Sequence, residues 1–254
     1  MPKAVTKFGA NPDIDRWFDG QTEGCTIHRS ALACSKHLVG RYFSGDYTGS
    51  LFDPLGIEPA NVITRADLYA VSSLKMPTLA QSRNLDKLVA AFDADNRRSE
   101  DCLTPSCTAH ITCMLRRIPG SASIFSAQPS KLDLADKSLW PAMDNIFRSS
   151  LRKSGPAHVS KILARKRPEL LPILDSVASY RLKRAGAKQG AYWRFFREEL
   201  LRSTVVVPAI EKIRKQGKVP QHISDLRIVD VAVWMRQSPD FRVVKDHSSC
   251  PPLP

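Results

Sequence analysis

Five side chains that can grip or transform an anion fall within ten residues of one segment, GPAHVSKILARKRP: His158, Lys161, Arg165, Lys166 and Arg167. On a helix, Val159, Ile162 and Leu163 point one way. The three- and four-residue spacing of His158, Lys161 and Arg165 puts these on another face. Lys166 and Arg167 follow at the C-terminal end, where the helix dipole favours cations. Such a face suits phosphate contacts that position a nucleic acid without reading its sequence. In the following Pro172-Ile173-Leu174-Asp175, Asp175 is placed in the first turn of a next helix. There it serves either as a dipole-stabilised carboxylate or as a catalytic one.

Two further groups carry chemistry. In ISDLRIVDVAVWM, Asp230 falls on the stripe formed by Leu226, Val229 and Val233. A carboxylate there needs a partner, because an unpaired buried charge is costly. Arg167 is the expected partner, in a structural ion pair, with Arg165 as the alternative. In CLTPSCTAHITC, Cys102, Cys107, His110 and Cys113 are zinc-ligand types. Their spacing matches no closed four-ligand pattern, so buried reduced cysteines are expected and no metal or cofactor is assigned.

The elements that must position these residues read as helices. Thr64 and Asp67 form a capping-box pair, with Ile63 and Leu68 at the staple positions, and this helix is expected to end near Leu74. Other helices are expected over 31–43, 84–93, through Ile111, Met114 and Leu115, over 134–149 and from Pro156 to Pro168. More follow from Pro172 to about Lys183, over 189–201 and 206–216, and from Ser224 to about Arg236. Residues 121–131 read as a loop. No βαβ alternation, hairpin or fixed-period repeat is present. The fold class is therefore all-α, a compact multi-helix bundle. Residues 1–30 read as a weakly structured N-terminal segment and 31–150 as an N-terminal helical part. Residues 151–240 read as a basic helical part carrying the KRP motif, and 241–254 as a tail.

Charge divides unevenly over this framework. Residues 1–150 hold 17 Lys/Arg and 16 Asp/Glu, whereas 151–254 hold 21 and 9, a net of +12 within a total of +13. A field of that sign draws polyanions. Apolar residues make up 43%, enough for a core. No run approaches the roughly 20 apolar residues of a membrane span, and the N-terminus lacks a signal-peptide core. A cytoplasmic location with no membrane partner is expected.

SKILARKRPELLPILDS and ISDLRIVDVAVWM resemble the "SKLLARKRP…P-Asp" and "SxLRxxDVxxWM" motifs of an actinobacterial family of unknown function. RYFSGDYTGSLFD (41–53) and ITRADLYAVSSL (63–74) resemble its N-terminal part. A remoter likeness is to helix-hairpin-helix DNA glycosylases, on Gly155, Lys161 and the Pro172-to-Asp175 step. That resemblance implies a helix-hairpin-helix-like C-terminal part, with Lys161 as amine nucleophile and Asp175 as its carboxylate partner. The hairpin's second glycine is replaced in the Ala157-His158-Val159 run, which favours binding over catalysis.

The leading expectation is a nucleic-acid-binding protein, its partner DNA. His158, Lys161, Arg165, Lys166 and Arg167 would make the contacts, and Lys183, Arg184 and Lys188 would extend the patch. The alternatives are a base-excision glycosylase-like enzyme and a module docking an acidic protein.

Overall fold

Thr64 shows how the sequence starts its helices. The Asp67 backbone N–H donates to Thr64 Oγ1 at 3.4 Å, and Thr64 N–H donates to Asp67 Oδ2 at 2.8 Å. This closes a capping box, while Ile63 and Leu68 are buried as a staple. In the same way Ser30 Oγ accepts from Ala33 N–H, and Ser224 Oγ accepts from Arg227 N–H at 3.0 Å. Each signal begins a helix in a computed structural model that describes residues 14–15, 18–19, 30–46, 52–53, 59–74, 86–90, 92, 108–126, 128–150, 156–174 and 189–235.

Residues 86–90 are helical, and the α-helices described from end to end are α1 (Ala31–Arg41), α2 (Arg65–Ser72), α3 (Thr108–Arg117), α4 (Pro129–Leu134), α5 (Trp140–Ser150), α6 (Pro156–Lys166), α7 (Gln189–Arg202), α8 (Val206–Gln216) and α9 (Asp225–Met235). Two π-helical turns, Tyr42–Asp46 and Ala135–Leu139, follow α1 and join α4 to α5. No β-strand occurs among the described residues, and the chain is all-α.

The helices pack in two groups around α6. On one side α1 lies against α8 and α9, and these two lie against each other. On the other, α3 packs on α5 and on the second π turn, and α7 packs on α4. Helix α6 meets α2 and α5, and its C-terminal extension ties to α9, since Ser224 Oγ donates to Pro168 O at 2.8 Å. The core includes Tyr192, Trp193, Phe196 and Leu200 of α7, with the Trp193 and Trp140 rings edge-to-face at 5.6 Å. Leu139, Met143, Ile146 and Phe147 are buried as their spacing predicts.

Several expectations need correction. The 121–131 loop is cut short, because Pro129 opens α4 five residues before the predicted helix start. The single helix expected over 134–149 contains a π turn. Pro172 does not open a helix at 172–174. That stretch is non-helical, and two of its amides are held by side chains: Ile173 N–H donates to Asp230 Oδ2, and Leu174 N–H donates to Ser160 Oγ. Asp175, Lys183, Arg184 and Lys188 lie outside the described residues, as do Cys102 and Cys107. Cys113, expected as a reduced thiol, is disulfide-bonded, so its sulfur is not a free thiolate ligand. Cys34 is a free, buried cysteine.

Gly217 ends α8 where α1 crosses it. A Cβ there would lie 2.7 Å from Ile213 O and 3.3 Å from Lys36 O, and one on Gly40 would lie 3.2 Å from Gly217 O. The obstacles are backbone atoms, which cannot swing aside. Gly217→Ala should therefore cost about 1–3 kcal/mol in urea unfolding, mainly by opening the last turn of α8 at Ile213 O and also by pressing on α1 at Lys36 O. An unchanged midpoint would show that the crossing is not tight.

Candidate functional site

The expected phosphate-gripping face of α6 turns inward. His158, Ser160 and Lys161 are buried, and Arg165, Lys166 and Arg167 are 2%, 1% and 0% exposed. The outward face predicted for His158, Lys161 and Arg165 is overturned by packing: α2 and α5 both rest on α6, leaving little of it to solvent.

Each cation of the run has a defined neutraliser. Arg165 Nε bonds Asp67 Oδ1 at 2.9 Å, and Lys166 Nζ bonds Asp67 Oδ2 at 2.7 Å. One carboxylate thus accepts from two buried cations while also closing the α2 capping box. Arg165 Nη1 donates to Phe52 O, and Lys166 Nζ to Pro59 O at 3.1 Å.

Arg167 is held differently. Its Nε donates to Ile118 O at 2.7 Å, and Nη1 donates to Ala60 O at 2.9 Å and Lys166 O at 2.5 Å. Its Nη2 donates to Asn61 Oδ1 at 2.7 Å and to Leu115 O. Leu115 and Ile118 carry carbonyls at the C-terminal end of α3, and Lys166 one at that of α6. Each helix end is equivalent to about −0.5 charge, so two together offset about one cation. Burial pushes the Arg167 guanidinium down to about 10, which leaves it protonated at neutral pH. The predicted Arg167–Asp230 pair is therefore not formed, because helix ends and loop oxygens take the place of the carboxylate.

Asp230 is buried on α9 and accepts from Ile173 N–H at 3.1 Å. One turn away, Arg227 carries a second polar knot. Its Nε meets Asp53 Oδ1 and Oδ2 at 3.0 and 3.3 Å, and its Nη2 donates to Tyr42 Oη at 2.6 Å. The guanidinium lies 4.9 Å from the Phe52 ring centroid and 5.3 Å from that of Tyr42. Arg165 lies 5.8 Å from the Phe52 centroid. Burial works to lower the Arg227 pKa, but Asp53, Tyr42 and Asp230 more than reverse it, so its proton is held above the ordinary arginine range.

These groups border a small cleft. Phe52, Asp53, Arg165, Arg227 and Asp230 line it, with His222 at its side. The room for water-sized molecules is about 30 Å³, space for one or two waters. A flipped base needs a pocket shaped to the whole ring. Lys161, the resemblance's nucleophile, is buried and is not among the cleft's lining residues.

Sequence reasoning missed Asp67, Asp53, Tyr42 and Arg227 as partners. The available signal was three consecutive cations, Arg165 to Arg167, on a helix with apolar residues at 159, 162 and 163. The four segments carrying the family resemblance all converge here: 41–53 supplies Tyr42 and Asp53, 63–74 supplies Asp67, and 160–176 supplies the cation run. The fourth, 223–235, supplies Arg227 and Asp230.

Burial raises the Tyr42 phenol to about 12, with Asp53 adding to the rise and Arg227 opposing it. The unfolded chain therefore loses this proton first. The associated stability is complete below pH 10 and is lost as pH climbs toward 12. Tyr42→Phe cannot ionise, so its unfolding free energy should fall less than the wild type's over that interval, by up to about 3 kcal/mol. Parallel pH profiles for the two proteins would contradict the assignment.

A family model described as a family of unknown function (DUF6308) matches residues 88–237, more than half of the chain. The match takes in α3 to α9 and starts after Tyr42, Asp53 and Asp67. No curated protein and no solved structure matches.

Proposed function

The chain belongs to this family of unknown function (DUF6308), and from that premise we propose that it binds nucleic acid through exposed basic side chains of its C-terminal half, with the KRP run as internal scaffold. The observation that carries the reading is the charge left over after burial. Residues 151–254 hold 21 bases and 9 acids. Lys161, Arg165, Lys166, Arg167 and Arg227 are buried, as are Glu199 and Asp230. Setting these aside leaves sixteen bases against seven acids by sequence: seven against four among the described residues, and the other nine against three outside them. A surplus of that size favours a polyanion partner and speeds its encounter. Lys183, Arg184 and Lys188 contribute to it by sequence.

The base-excision reading has less support. Its proposed nucleophile is buried, and the cleft has room for water and not for a base.

A fluorescently labelled DNA duplex of about 20 base pairs tests the reading by anisotropy over a salt series. Binding should be clear at about 50 mM salt and fall steeply toward 200 mM, with log K linear in log salt. Absence of binding at low salt, or affinity indifferent to salt, would remove the proposal.

A further inference from the structure

Resting on the nucleic-acid reading, we infer that the contact surface is the C-terminal end of α8 together with α1, and that it takes the phosphate backbone of a duplex. Helix α8 buries Val206, Ala209, Ile210 and Ile213. This leaves Lys212 and Lys215 on the opposite side, where both are exposed. At three-residue spacing their Cβ atoms stand about 5–6 Å apart. Lys218 follows in the turn, exposed, with a left-handed backbone at φ 53°. That conformation is uncommon for a residue with a side chain, and it follows directly on the tight α1–α8 crossing at Gly217.

Helix α1 adds a fourth cation. Lys36 Nζ donates to Gln216 Oε1 at 3.2 Å, which fixes it beside the α8 terminus. Among the described residues none of these four lysines forms an ion pair, and Glu211 is the carboxylate nearest in sequence. Arg214, on another side of α8, is used internally: it bonds Asp225 Oδ1 at 2.5 Å and the carbonyls of Ile223 and Pro220. Elsewhere among the described residues Lys137, Arg148, Arg194 and Arg202 are exposed and paired with carboxylates, while Lys87, Arg116 and Arg117 are exposed without an ion pair but in smaller groups than the α8 lysines. The α8 lysines retain their full charge for a ligand.

The surroundings select the form of nucleic acid. Single-strand binding relies on exposed aromatic platforms that stack on bases. The exposed large apolar side chains among the described residues are Tyr69, Leu201 and Val207, and the one aromatic among them lies on α2. A lysine cluster without an aromatic neighbour contacts phosphates and reads no base, so binding is to duplex and independent of sequence.

The test compares the wild type with K212E/K215E/K218E, the milder K212Q/K215Q/K218Q, and R116E/R117E, which reverses two exposed charges at the end of α3. All four are first melted by circular dichroism and then titrated with duplex, single strand and poly-glutamate. The charge-reversed α8 variant should keep its melting temperature and lose at least about ten-fold in duplex affinity at low salt. Its log–log salt slope should shrink by about 2–3, and the glutamine variant should move in the same direction. R116E/R117E should stay within about two-fold of wild type. If the wild type binds duplex and both α8 variants bind equally well, the surface is wrong while the nucleic-acid reading stands. If the wild type binds no duplex, both fall. Tighter binding to single strand or to poly-glutamate than to duplex would also overturn the inference.

Discussion

Three consecutive cations, Arg165, Lys166 and Arg167, sit in the interior, and the rest of the architecture answers the need to neutralise them. Placing an unpaired charge in a protein core costs several kcal/mol, so a helix ending in Arg-Lys-Arg can be buried only if opposite charge is built around it. Asp67 supplies one full charge to two of them. The ends of α3 and α6 supply the rest as dipoles and carbonyls aimed at Arg167. This fixes where α2 starts, where α3 and α6 stop, and how the 59–61 loop runs between them. Arginine suits the last position because its planar fork can serve several oxygens at once, which a lysine ammonium on a flexible stem cannot do as well.

The same requirement divides the protein's positive charge into two parts. Cations near the centre are internal ties, satisfied by carboxylates, carbonyls and the ring face of Phe52. Lys212 and Lys215 on α8 and Lys218 after it remain exposed, with Lys36 of α1 half-buried beside them. A sequence count of charge treats both alike, although only the second part is open to solvent. The Asp53–Arg227–Tyr42 knot and Asp230 belong to the first part. They bring α9 and the segment after α1 to the same place as the cation run, so the resemblance motifs describe one polar core and not a list of surface contacts.

Local signals were legible in the sequence. The Thr64–Asp67 box and the Ile63–Leu68 staple are readable because each depends on residues within a few turns. What stayed hidden depends on distance along the chain. The local pattern marks Asp67 as a cap, yet its second task is a pair with Arg165, 98 residues away. Spacing alone pairs Arg167 with Asp230, because a charge invites a counter-charge, whereas the oxygen atoms that hold Arg167 come mostly from backbone, which carries no sequence signature. The two π turns are hidden for a related reason: one register shift in a helix leaves composition and apolar spacing almost unchanged.

The account stands or falls on whether the cation run is inside. A double-mutant cycle on Asp67→Asn and Lys166→Met, read by urea unfolding, measures that directly. A buried pair predicts that Asp67→Asn alone costs about 3–5 kcal/mol. Lys166→Met should then cost much less in the Asp67→Asn background than in the wild type, because the lysine has already lost its partner. An exposed pair would be worth at most about 1 kcal/mol, with the two effects nearly additive. That result would return the run to the surface and contradict the structure's central arrangement.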